Sequence, residues 1–232
     1  MAADPLAAFN DLVHIQVAQP GTPLPPLTAP AGYDYVLAAN GVFKRGRSRH
    51  VEAVIPVASC TVAGLARWFD PVQCPGLRIP RLAGETRIKL AVPRLPPWLL
   101  AVALEDARAA GGIETAYQVV IADSRVGLVK PPQRGTVSSL DYTDSGGPEV
   151  LLDLHSHGNT PAYFSPQDDK DQQGFRFYAV MGCINTRPSI CLRLGIHGDW
   201  HPLPVTALFG NAGPFQDTYG VEQDPALSRK PR

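Results

Sequence analysis

His155 and His157 stand two residues apart, and Asp168 follows the second by eleven positions. Alternate side chains of a β-strand point to one face, so the two imidazoles are presented together, as a divalent metal needs from two ligands on one strand. Ser165-Pro166-Gln167-Asp168 reads as a helix start, with Ser165 at the N-cap, Pro166 at the first helical position and Asp168 at the third. A carboxylate there lies near the positive end of the helix dipole, which keeps it ionised and available as a ligand. Two histidines and one carboxylate leave the fourth corner of a zinc tetrahedron to water, the arrangement of a catalytic rather than a structural site. Zinc lowers the pKa of such a water toward ~7 and polarises a carbonyl. An H-x-H on a strand and a Ser-Pro-x-Asp helix start are each commonplace; their order and spacing together are specific. Asp169 and Asp171 offer further carboxylates, but only Asp168 has the S-x-x-D spacing from Ser165.

These residues need a strand that ends at the histidines and a helix that begins at the serine. Residues 150–154 (VLLDL) supply an apolar strand, and 165–173 read as a short helix closed by Gly174. Upstream, Pro96-Pro97-Trp98 opens the clearest helix. Leu99, Leu100, Val102, Ala103, Leu104, Ala107 and Ala110 recur at helical spacing, and Gly111-Gly112 stops it. Glu114 begins the next strand, whose residues 117–121 are apolar and β-favouring. Residues 123–147 read as strand interrupted by polar turns, ending in Ser145-Gly146-Gly147-Pro148, and 175–184 and 190–196 as apolar strands joined by a turn.

Before this half, residues 19–32 carry five prolines and no charge, an extended connector after a short N-terminal segment. Residues 33–95 read as mostly β, with a hairpin at Asn40-Gly41 and strands at 51–57 and 87–92. After about Gly210 periodicity is lost, which predicts a flexible tail. The expected organisation is therefore 1–32 as N-terminal segment and linker, 33–95 as a smaller β region, 96–209 as a mixed α/β domain and 210–232 as tail.

The chain has 232 residues, 44% hydrophobic and 18% charged, an ordinary globular composition. Its 21 basic and 21 acidic residues cancel, which argues against nucleic-acid binding through a strongly cationic surface. The one basic run, residues 44–50, reads as a solvated hairpin or loop. No run reaches the ~18 apolar residues of a membrane span, and the first residues lack a secretory signal. Cys60, Cys74, Cys183 and Cys191 form no CxxC pair, so reduced thiols in a cytoplasm are expected, with Cys183 and Cys191 as core residues.

Residues 151–158 (LLDLHSHG) through Ser165-Pro166-Gln167-Asp168 resemble the JAMM motif of JAB/MPN-domain metalloproteases: a glutamate on an early strand, then H-[ST]-H, seven residues of which the first is proline, and S-x-x-D. The resemblance spans about residues 96–209. It implies a JAB/MPN (cytidine-deaminase-like) fold, one catalytic zinc per chain, and hydrolysis of isopeptide or peptide bonds after ubiquitin-like proteins. The small size and proline-rich entry also resemble the JAB proteins of bacterial PRTRC cassettes, which accompany a ThiF-like activating enzyme and E2-like and ubiquitin-like proteins. By the resemblance, His155, His157 and Asp168 match the zinc ligands, and Ser165 matches the serine that stabilises the tetrahedral intermediate. The general base is matched best by Glu114, which follows the helix and opens a strand; Glu105 lies within the helix, and Glu149 is too far back along the histidine strand. Gly158 stands where the family has proline. His197 and His201 near the end of the domain read as loop or surface histidines. Two other functions stay open: an inactive MPN scaffold, against which every ligand position is filled, and a zinc amidohydrolase acting on a sulfur-carrier adduct.

Overall fold

A computed structural model describes residues 12–19, 22–59, 82, 86–144 and 147–220. Residues 1–11, Cys60, Cys74, the Ser145-Gly146 part of the predicted break and residues 221–232 lie outside the described residues. The chain divides into two units, Met1–Ala91 and Val92–Arg232.

The first unit is a five-stranded sheet in the order β1 (His14–Val17), β2 (Tyr33–Ala38), β3 (Gly41–Arg47), β4 (Val51–Ser59), β5 (Arg87–Leu90). Residues 14–17 of the N-terminal segment are thus part of the sheet, as β1 pairs parallel with β2. The hairpin bends one residue earlier than expected. Ala38 pairs with Gly41, which opens β3 at φ +143, while Asn40 turns its side chain onto the backbone of Leu82.

The basic run does end in the β3–β4 hairpin with Arg47 and Arg49 exposed, but it is not solvated throughout. Lys44, Arg45 and His50 are buried. Tyr35 and Asp34 face Lys44 and Arg45 across the β2–β3 pair. The Lys44 ammonium lies 4.3 Å from the centre of the Tyr33 ring, and Arg45 is ion-paired with buried Asp34. Aromatic faces and a carboxylate on the neighbouring strand offset the cost of burying these cations, which no reading of β3 alone reveals.

The second unit is built on a mixed sheet ordered β13 (Asp199–Leu203), β12 (Ser189–Ile196), β11 (Phe175–Gly182), β10 (Val150–Ser156), β6 (Ala116–Ala122), β7 (Arg125–Val129). Helix α1 (Trp98–Ala109) buries Leu99, Leu100, Ala103, Leu104 and Ala107. Each of the three leucines contributes about 1.5–3 kcal/mol by leaving water. Val102, expected on the same face, is 50% exposed. Gly111 and Gly112 end the helix with φ of +66 and +91, a conformation that glycine adopts without strain. A separate two-stranded hairpin joins β8 (Gln133–Gly135) to β9 (Leu140–Tyr142). Helix α2 (Pro166–Asp171) lies in the connection between parallel neighbours β10 and β11. Mixed sheets with few helices agree with the mixed α/β expectation, with strands predominating.

Residues 210–220, though mostly exposed, are tied to the second unit rather than loose. Strand β14 (Gln216–Asp217) pairs with β12, Phe215 is buried, and Asp217 accepts a hydrogen bond from the Val205 N–H at 2.7 Å. This segment is held by backbone pairing and one side-chain acceptor, so it leaves no periodic trace. Among the described residues no helix is long and apolar enough to cross a membrane.

Candidate metal centre

All seven residues of β10 are buried, and the strand sits between β6 and β11. His155 pairs with Ala116 on antiparallel β6 and with Val180 on parallel β11. The β6–β10 ladder runs one rung further, since the Ser156 N–H donates to the Thr115 carbonyl at 2.9 Å. That register brings Glu114 level with His157. Facing residues of an antiparallel pair share a sheet face, and Glu114, His155 and His157 line one cleft of about 380 Å³.

Beyond β10 the His157 N–H donates to the Met181 carbonyl at 2.8 Å, and the chain swings away at Gly158 with φ +58. Proline is fixed near φ −65, so it cannot make this exit. A Cβ at Gly158 would also lie 2.9 Å from the Gly112 carbonyl oxygen. The glycine that departs from the motif pattern is the residue this loop needs.

The loop returns Ser165 and Asp168 to the cleft as a capping box. The Asp168 N–H donates to Ser165 Oγ at 3.2 Å, and the Ser165 N–H donates to Asp168 Oδ2 at 2.6 Å. His155 Nε2 lies 3.1 Å from His157 Nε2 and 3.2 Å from Asp168 Oδ1, and His157 Nε2 lies 3.8 Å from Asp168 Oδ2. Ligands ~2.0–2.2 Å from a tetrahedral zinc stand about 3.3 Å apart. Two imidazole nitrogens and one carboxylate, its two oxygens each facing a different histidine at 3.2 and 3.8 Å, are donors of the kind that can hold a divalent metal such as zinc. Among the described residues this is the one cluster of three such side chains that can hold a metal ion.

Burial pushes the Asp168 carboxyl up, but the His155 ring and the hydroxyl and N–H of Ser165 outweigh it and hold the group well below the usual carboxylate range. Tyr163, edge-on to His157 with ring centres 4.8 Å apart, has its phenol pushed up by burial and by the charges of Asp168 and Glu114.

Glu114 precedes β6 by two residues and is buried. Its N–H donates to the Thr136 carbonyl at 2.8 Å, which docks the β8–β9 hairpin against it. The approach is close enough that a Cβ on Gly135 would lie 2.1 Å from the Glu114 carbonyl oxygen. The hairpin contributes Ser138, Ser139, Leu140 and Tyr142 to the cleft. Sequence reasoning missed these four, because the turns around them carry no chemical motif; the glycine at 135 was the available signal.

The alternatives fall elsewhere. Glu105 is exposed and paired with Arg108. Glu149 lies before the opposite end of β10 from the histidines. Asp169 bonds Arg193, while Asp171 also lines the cleft and accepts from Gln167. His197 sits in the turn between β12 and β13 and His201 on β13; neither is among the cleft residues.

Residues 99–194 match the family described as prokaryotic homologs of the JAB domain. The match runs from the first turn of α1 into β12, takes in Glu114, His155, His157, Ser165 and Asp168, and supports a JAB/MPN relationship for that span. No curated protein matches the chain.

Proposed function

We propose that this protein is a zinc metalloprotease of JAMM type with a JAB/MPN (cytidine-deaminase-like) domain, which hydrolyses the peptide or isopeptide bond after the C-terminus of a ubiquitin-like protein. The observation that carries the reading is the single cleft in which His155, His157 and Asp168 converge with Glu114 and Ser165. Within the JAB family, which includes inactive scaffolds, a filled ligand set favours the enzyme.

His155, His157 and Asp168 would hold the zinc, which when bound supplies a Lewis acid that acidifies water and polarises the scissile carbonyl. Glu114 takes a proton from the attacking water and delivers it to the amine as the carbon–nitrogen bond breaks. Ser165 Oγ accepts from the Asp168 N–H, so its own hydrogen stays available to the carbonyl oxygen as charge develops there. The β8–β9 hairpin forms one wall of the cleft through Ser138, Ser139, Leu140 and Tyr142.

The partners on this reading are a ubiquitin-like protein or its conjugates, with a ThiF-like activating enzyme and an E2-like enzyme forming the bond that this protein removes, as in PRTRC cassettes. We place it in the cytoplasm, where the free thiols of Cys183 and Cys191 stay reduced. Zinc content and cleavage of a ubiquitin-like fusion test the proposal together. Wild-type protein should carry one zinc per chain and cleave. Glu114→Gln should keep the zinc and lose about 10²–10⁴-fold in kcat. Zinc uptake without cleavage of any ubiquitin-like fusion or conjugate would favour a scaffold, and cleavage of a sulfur-carrier adduct alone would favour the amidohydrolase.

A further inference from the structure

Helix α2 has a weak claim to order. Its six residues, PQDDKD, are all polar apart from the opening proline, and none is buried. A helix this short is unstable alone, and its capping box binds it only to its own first turn. Besides the contact of Asp168 with His155, what ties it to the sheet is Arg193, a buried residue of β12. Arg193 Nε and Nη2 both donate to Gln172 Oε1, at 3.1 and 2.7 Å, and Nη1 donates to Asp169 Oδ1 at 2.6 Å. The guanidinium stacks 3.9 Å from the centre of the Phe164 ring and 4.8 Å from that of Trp200. Trp200 in turn donates to the Gln172 carbonyl at 2.9 Å.

These contacts bracket the metal ligand. Phe164 precedes the N-cap Ser165, Asp169 follows Asp168, and Gln172 ends the helix. We propose that Arg193 is a positioning residue for the metal centre, clamping α2 to β12 so that the Asp168 carboxylate is held against His155 and His157. The inference rests on the metal reading above. A planar fork of donors flanked by two aromatic rings suits arginine and not lysine, whose ammonium neither stacks flat nor reaches both acceptors at once. Partners outside the ligand shell that orient a ligand typically govern metal affinity by 10–100-fold.

Arg193→Met keeps the stem between Phe164 and Trp200 but removes the donors. We expect zinc affinity, measured by competition with a chromophoric chelator, to fall about 10–100-fold. Hydrogen exchange at the Asp169 and Gln172 amides, which bond Ser165 and Asp168 carbonyls, should speed up, and Arg193→Lys should restore neither. Asp169→Ala changes a half-exposed partner, keeps the test open if the buried variant fails to fold, and should weaken zinc binding by a smaller factor. Folded Arg193→Met, or Asp169→Ala in its place, with wild-type zinc affinity and wild-type exchange in α2 would overturn the proposal and leave the proposed function standing. Wild-type protein that takes up no zinc would sink the proposed function, and with it any role of Arg193 in placing a ligand.

Discussion

At Gly158 the backbone turns out of β10 one residue after His157, in the left-handed region and within 2.9 Å of the Gly112 carbonyl for any added Cβ. The left-handed conformation costs a non-glycine residue about 1–2 kcal/mol, and the contact adds to it. Gly158→Ala should therefore lower stability by roughly 1–3 kcal/mol in urea unfolding and shift His157 enough to weaken zinc binding; an unchanged midpoint would mean that the loop relaxes freely. Cys191 offers a second check on the structure. Burial pushes its thiol up to about 12, so at pH 8 almost no thiolate exists to react. Its alkylation by iodoacetamide, followed on the Cys191 peptide, should wait for unfolding; prompt labelling of the native protein would place the thiol at the surface. That His155, His157 and Asp168 come together was legible at this scale because strand alternation and helix capping are local rules. Arg193 was not, since its partners lie 21 to 29 positions upstream, apart from Trp200, and only the fold brings them together.

The β8–β9 hairpin depends on longer-range ties than its own pairing. Past β9, Asp144 accepts from Gln118 Nε2 at 2.7 Å and from Arg176 Nη1 at 2.8 Å. The same two donors hold Asp153, which stands two residues before His155 on β10, at 2.8 and 2.7 Å. Burial pushes the Asp153 carboxyl up and Arg176 pulls it back. Asp144 is half-exposed and Asp153 is buried, so the two carboxylates carry different loads. Asp144→Ala should free the hairpin end, speed amide exchange at Thr143 and raise KM more than it lowers kcat, with little loss of stability. Arg176→Met leaves a buried carboxylate without its cation and should cost about 3–5 kcal/mol. Equal losses in the two variants would show that the network is structural and does not act through the hairpin. Strands and helices were readable where apolar period and breakers agree, as in α1 and β10. The hairpin wall was not, because Gly135 takes its meaning from the backbone of Glu114, which lies ahead of β6 and 21 positions upstream.

The division at Ala91/Val92 leaves every proposed ligand, Glu114, Ser165 and the Arg193 clamp in the second unit. The sequence boundary near residue 95 follows from the proline pair that opens α1, whereas the contacts keep Leu95 with the second unit through its N–H bond to the Leu208 carbonyl at 2.9 Å. That unit also retains residues 210–220 through β14, so a fragment cut at 209 would lose a strand and the Asp217 acceptor. Zinc binds the native site and not the unfolded chain on this reading, so it stabilises by RT ln(1 + [L]/Kd), ~2.7 kcal/mol at a hundredfold excess over Kd. Residues 92–232 expressed alone should fold, bind zinc with the affinity of the full chain and melt at a higher temperature with the metal than after chelation. His157→Ala should abolish that shift, and a fragment of 92–209 should melt below 92–232 even without metal. A fragment 92–232 that folds but binds zinc tenfold more weakly than the full chain would contradict a metal centre built from the second unit's residues alone.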